Sequence, residues 1–342
     1  MTGFVWNANH VEHDVEGHPE CPERLESVLA LLRDCGLLER LHRIEPRDAT
    51  DEELWWVHTP AYVRRVDDVC AQGGGWFDPD TYALPRSCEA ARRACGSSLD
   101  ATEAVLSGRT RSAFAAVRPP GHHARPAQAM GFCLYNNIAV AAQYARERHG
   151  LERVAIIDID VHHGNGTQDA FYGDPGVLYV STHQYPFYPG TGPAEETGAG
   201  TGAGANVNIP LQAGCGDREY ALAFEQVVEP VVARYRPQIV LVSCGFDAHY
   251  ADPLAGMALS VDGYGDMAER ILALAEELCD GKLVYFLEGG YDFTAVSWGV
   301  RRVLETLLSE PQTPDPLGPL GEGPSPHVEP VLRELRELHG LT

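Results

Sequence analysis

The run Val154-Ala155-Ile156-Ile157 is short, wholly apolar and rich in β-branched residues, and it passes directly into Asp158-Ile159-Asp160-Val161-His162-His163-Gly164-Asn165-Gly166. Such a run reads as a buried strand. The closing Gly-Asn-Gly is a turn signal. Two carboxylates and two imidazoles therefore gather at the C-terminal tip of a strand, the edge where open α/β sheets bind ligands. Asp160 and His162 are two residues apart, so on extended backbone they face one side, and Asp158 shares that face. Carboxylate oxygens and an imidazole nitrogen converging there suit zinc or a similar divalent ion. His163 sits beside a ligand-type residue, points the other way, and is expected to pack.

The rest of the chain alternates in the same manner. Strands are expected over 112–117, 154–157, 177–181, 206–211, 239–243 and 283–287. Helices are expected over 22–35, 87–106, 136–149, 167–172, 217–235, 260–279 and 295–309, with Pro22 in a first turn and Ser260 as an N-cap. Alternation of this kind predicts one α/β unit, a parallel sheet with helices on both faces. Residues 1–21 read as an irregular start and 185–205 as a long Gly/Pro-rich loop. Residues 310–326 read as a loose linker before a short helix over 328–338, which divides the chain into 1–309 and 310–342.

Composition excludes several classes. The 342 residues contain no run of 18 apolar residues, so a membrane span is not expected. Met1 to Asn7 lacks the basic and apolar regions of a signal peptide, and a cytoplasmic protein is expected. The nine cysteines are scattered, odd in number and form no C-x-x-C pair, which fits reduced thiols. A formal net charge of -23 disfavours nucleic acid and anionic membranes, and it attracts cationic small molecules or basic peptides.

Five expected strand ends carry polar chemistry: His122-His123, Asp158/Asp160/His162, Ser181/His183, Asp247 and Tyr291. The tips of a parallel sheet share one edge, so these residues can converge. The segments His18-Pro19-Glu20, Pro22-Glu23-Arg24-Leu25, Arg118-Pro119-Pro120-Gly121-His122-His123-Ala124 and Gly131-Phe132-Cys133-Leu134-Tyr135-Asn136-Asn137 add to them. So do Tyr188-Pro189-Gly190-Thr191-Gly192, Gly245-Phe246-Asp247-Ala248-His249 and Glu288-Gly289-Gly290-Tyr291. In this order the set resembles the histone deacetylase family, in the form of its class II branch. Bacterial acetylpolyamine amidohydrolases and acetoin-utilisation proteins are relatives.

The resemblance implies the arginase–deacetylase fold, an eight-stranded parallel sheet between helices, with the catalytic domain over 1–309. It implies one Zn²⁺ per chain on Asp160, His162 and Asp247, three protein ligands with an open position. His123 is implied as general base and then acid, and His122 as its electrostatic support. Tyr291 is implied as oxyanion donor, with Asp158 orienting His122 and Asn165 partnering His123. Asn165 stands where many family members carry Asp. The acyl channel maps to Phe132 and Tyr188, with Leu254 where polyamine-specialised relatives can carry an acid. A structural K⁺ or Na⁺ would use Asp158 and Ser181. Asp78 or Asp80 would reach the substrate at the rim, and Arg24 resembles the arginine of the family's internal acetate-release channel.

The expected activity is removal of acetyl or related acyl groups from amines, with acyl-lysine in proteins or peptides as substrate. Acetylated polyamines are the alternative, and oligomers are possible. A two-manganese arginase-type hydrolase shares the fold, but His122-His123 and Tyr291 argue against it. A binding module that reads acyl-lysine without turnover is the alternative of another class.

Overall fold

The computed structural model describes residues 1–320 and 326–341, so residues 321–325 of the expected linker lie outside the described residues. Eight parallel strands form the main sheet: β1 (Thr2–Trp6), β2 (His42–Arg43), β3 (Ser112–Ala116), β4 (Val154–Asp158), β5 (Val177–Gln184), β6 (Asn206–Leu211), β7 (Ile239–Cys244) and β8 (Leu283–Leu287). Their spatial order is β2-β1-β3-β8-β7-β4-β5-β6. A two-stranded antiparallel pair, Gly75–Trp76 with Tyr82–Ala83, stands apart from it.

The apolar runs alternate between two cores because strand side chains alternate between faces. Ala155 and Ile157 join one core with Phe4, Phe114 and Tyr285, covered by helices Pro22–Asp34, Val261–Cys279 and Phe293–Leu307. Val154 and Ile156 join the other with Val5, Ala115 and Phe286, covered by helices Pro60–Ala71, Ser87–Leu106 and Asn137–His149. Every β4 residue is buried, which is why this strand reads as an unbroken apolar run. Among the described residues no helix is long and apolar enough to cross a membrane.

Four local readings change. The start of the chain is not irregular throughout: Thr2–Trp6 pairs with β3 along its whole length. β5 continues past Ser181 because Thr182, His183 and Gln184 pair with Ile209, Pro210 and Leu211 of β6. The helix expected over 217–235 is broken by a π turn, Phe224–Val228, just ahead of Pro230. Proline has no N–H to continue the α ladder there, and its ring crowds the carbonyl four residues back. Residues 312–317 are tied down rather than loose. Arg302 donates to Gln312 Oε1 and the Thr313 carbonyl, and Tyr250 Oη donates to the Leu317 carbonyl.

A buried ion cluster binds the chain start to the sheet edge. Glu20 Oε1 accepts from Arg118 Nε at 2.5 Å and from Arg24 Nη1 at 3.0 Å. Arg118 also donates to the carbonyls of His10 and His13. All three charged side chains are at most 1% exposed. Removing the only carboxylate would leave two buried guanidiniums without their counter-charge. Glu20→Ala is expected to lower stability by about 3–5 kcal/mol, read from the denaturant midpoint. A loss under roughly 1 kcal/mol, the range of a surface pair, would contradict this account.

Candidate active site

The tips of β3, β8, β7, β4 and β5 are neighbours, and each delivers polar groups to one place. Asp158 is in register with Ser181 on one side and Ser243 on the other, so the tips end level. The loop after β3 carries His122 and His123. Glu288, at the tip of β8, holds that loop by its backbone: Oε2 accepts from the N–H groups of Gly121 at 2.7 Å and His122 at 3.1 Å. Ser243 Oγ donates to Oε1 at 3.1 Å. Burial pushes the Glu288 carboxyl up to about 7 against the pull of His122 and the Gly121 N–H.

Asp160, His162 and Asp247 form a buried group whose potential ligand atoms lie within 4.8 Å of one another. His162 Nδ1 is 3.1 Å from Asp160 Oδ1 and 3.2 Å from Asp247 Oδ2. Donors on a tetrahedral ion at about 2.0 Å are spaced roughly 3.3 Å apart, so these atoms fit one small cation. Asp247 Oδ1 accepts from the Val161 N–H at 3.0 Å, but its Oδ2 is buried without a hydrogen bond. Burial opposes a charged His162, yet Asp160 and Asp247 outweigh it and raise the imidazole to about 10. That field suits a divalent cation. Glycine keeps the space open: a Cβ at Gly289 would lie 2.0 Å from Asp247 Oδ2 and 2.7 Å from Asp160 Oδ2.

The two adjacent imidazoles are pushed in opposite directions. His122 Nδ1 lies 3.1 Å from Asp158 Oδ2, which also accepts from Tyr179 Oη at 2.9 Å. Burial lowers His122, but Asp160, Asp158 and Glu288 together raise it to about 10. His123 Nδ1 lies 2.8 Å from Asn165 Oδ1. Burial, then the neighbouring His122 and His162, hold it well below the usual imidazole range, and Asp160 and Asn165 offset only part of this. One ring therefore favours the cation and its neighbour the neutral form, a separation of the kind acid–base pairs use.

A cavity of about 180 Å³ opens above these groups, lined by His122, His123, His162, Phe132, Tyr188, Leu254 and Tyr291 among others. Phe132 has φ 67, and its N–H is held by Thr81 Oγ1 at 3.1 Å. Its ring meets Tyr291 edge-on at 5.9 Å. Tyr188 meets His123 edge-on at 5.2 Å. Phe187, which the sequence reading passed over, also lines the cavity and stacks on His162 at 5.5 Å. Asp80 lies on the lining, whereas Asp78 Oδ1 accepts from the N–H groups of Asp80 and Thr81. His163 is packed as expected, between Thr191 Oγ1 at 2.8 Å and Gln168 Oε1 at 3.0 Å. Ser181 is buried beside Asp158, with Oγ 2.9 Å from His183 Nδ1. Arg24 Nε and Nη2 donate to the carbonyls of Gly290 and Glu288.

Residues 18–307 match the family description "Histone deacetylase domain". The chain belongs to the histone deacetylase family. It is 44% identical over 294 residues to a "Probable deacetylase" of Archaeoglobus fulgidus, covering 85% of this chain and 81% of that one. It is 43% identical over 292 residues to a "Histone deacetylase-like amidohydrolase" of Pseudomonas aeruginosa, covering 85% and 77%. The solved HD domain of HDA15 superposes with TM-score 0.90 at 38% identity, over 99% of this chain and 94% of that structure. The sheet is thus that of the arginase–deacetylase fold, and family membership supports a hydrolase that removes acyl groups.

Two carboxylates of this family member had no role in the sequence reading. Glu288 was visible only as part of Glu-Gly-Gly-Tyr, and its partners lie 167 and 166 positions away. Asp252 stands two residues before Leu254 and carries no signal of its own in the sequence. The space around the metal-type group gives a test. Gly289→Ala is expected to weaken divalent-metal binding at least tenfold in a chelator competition, with the circular dichroism unchanged, because the methyl group enters the ligand space. Unaltered metal affinity would show that Gly289 does not guard that space.

Proposed function

We propose that this protein is a zinc-dependent amidohydrolase that removes acetyl or related acyl groups from N-acyl-lysine. The observation that carries the reading is the meeting of the Asp160–His162–Asp247 group, a neutral His123 and the Tyr291 phenol around one aromatic-walled cavity. Asp160, His162 and Asp247 would hold the Zn²⁺, which when bound polarises the acyl carbonyl and acidifies water.

The chain's own residues do the rest. Asn165 Nδ2 donates to Met130 Sδ, so its Oδ1 is turned to accept the Nδ1 proton of His123. The unprotonated Nε2 is then the base: it takes a proton from the attacking water and returns it to the leaving amine. His122, held cationic by Asp158, Asp160 and Glu288, supplies positive charge beside it. Burial holds the Tyr291 phenol far above its usual pKa, so it stays an O–H donor for the developing oxyanion. Phe132, Phe187 and Tyr188 exclude water along the acyl-lysine stem. Asp158 and Ser181, level on adjacent strand tips, are where a structural K⁺ or Na⁺ would sit.

Leu254 leaves that wall of the cavity apolar, which favours a lysine stem over a polyamine. Asp80 on the lining and the net charge of -23 favour a cationic amine, and they keep acetylpolyamines as the second reading. The nine cysteines are all free, which fits a reducing compartment such as the cytoplasm. A relative from rice is described as chloroplastic.

The test is turnover of acetyl-lysine and trifluoroacetyl-lysine amides beside acetylspermidine and acetylputrescine, with a hydroxamate control. The highest kcat/KM is expected on the acyl-lysine amides. Preference for the polyamines would select the second reading, and no turnover at all would leave a binding module. Tyr291→Phe should cut kcat by about 10²–10³-fold with metal content unchanged. Asn165→Asp would favour the charged His123. The base works when neutral, so its rate is lost as pH falls through its pKa, and raising that pKa moves the acid limb of the pH–rate profile upward. A profile that stays in place would remove Asn165 from this role.

A further inference from the structure

Tyr291 follows two glycines, Gly289 and Gly290, the second with φ +113. Such a segment imposes little restraint of its own, so the phenol depends on anchors supplied from elsewhere. Upstream, Arg24 holds the carbonyls of Glu288 at 2.5 Å and Gly290 at 2.6 Å. Downstream, the anchor is Asp252, only 6% exposed. Its Oδ2 accepts the N–H of Tyr291 at 2.6 Å and that of Asp292 at 3.3 Å. Its Oδ1 accepts the N–H of Leu254 at 2.9 Å. The Asp252 N–H in turn donates to the His249 carbonyl at 2.9 Å, in the turn that follows Asp247. One carboxylate thus joins two walls of the cavity, Leu254 and Tyr291, through hydrogen bonds to their backbone N–H groups.

We propose that Asp252 is a positioning residue for the reaction: it sets the Tyr291 phenol against the Leu254 wall and the acyl carbonyl. This rests on the reading of Tyr291 as oxyanion donor. Asp252 is not among the residues that line the cavity, and its hydrogen bonds go to Leu254, Tyr291, Asp292 and His249 rather than to Asp160, His162 or Asp247. Its effect on turnover passes through the Tyr291 backbone.

The experiment is a double-mutant cycle on the zinc-loaded protein, with Asp252→Ala and Asp252→Asn each made alone and with Tyr291→Phe, assayed on an acetyl-lysine amide. Asp252→Ala is expected to lower kcat about tenfold or more and to change KM less than about threefold. Asp252→Asn keeps one acceptor oxygen and should recover part of kcat. With Tyr291→Phe in place, Asp252→Ala should change kcat less than about twofold, because the group it positions is gone. An equal loss in both backgrounds would overturn the inference and make Asp252 a general structural residue, as would an unchanged kcat in Asp252→Ala alone. If Tyr291→Phe by itself left kcat intact, the oxyanion reading would fall first and this inference with it. If Asp252→Ala failed to fold, the same comparison on Asp252→Asn decides: its kcat loss must vanish in the Tyr291→Phe background.

Discussion

Four carboxylates, Asp158, Asp160, Asp247 and Glu288, are buried at most 1% exposed along one edge of the sheet. Taking so much negative charge out of water is affordable only where each oxygen is met by a donor or a cation. The backbone supplies part of this: the N–H groups of Gly121 and His122 go to Glu288, that of Val161 to Asp247, and that of Gly289 to Asp160. Imidazoles supply more, with His122 against Asp158 and His162 between Asp160 and Asp247. The least satisfied oxygen is Asp247 Oδ2, buried without a hydrogen bond and 3.2 Å from a His162 Nδ1 that also faces Asp160 Oδ1 at 3.1 Å. A small divalent cation would complete the set.

The same charge distribution pushes the two histidines in opposite directions. His122 lies nearest the carboxylates and is held charged. His123 feels burial and the cations beside it, and its ring partner is the neutral amide of Asn165. A family member with a carboxylate at that position would work with a more basic ring.

Much of this was legible before the fold was known, because the decisive residues cluster locally. Asp158 to Asn165 spans one strand tip, and the apolar, β-branched run before it reads as a buried strand. The elements that escaped lack a local signal. His42–Arg43 pairs with Gly3 and Phe4 through two residues, too few to show periodicity. Thr2–Trp6 is a strand because β3 lies beside it, not because its own pattern demands one. Glu288 and Asp252 escaped for a different reason. Each meets backbone N–H groups of a distant segment, Gly121 and His122 for Glu288 and Tyr291 and Asp292 for Asp252, and a sequence does not reveal which amide a carboxylate will meet. Phe187 lies outside the segments that carry the resemblance, one of which begins at Tyr188, yet both residues line the cavity.

The most direct measurement is anomalous diffraction at the zinc absorption edge from crystals of the zinc-loaded protein. The account predicts one peak per chain at coordinating distance from Asp160, His162 and Asp247, about 2.0 Å from the His162 nitrogen. A pair of metal peaks sharing a wider set of carboxylates, or no peak among these three side chains, would contradict it.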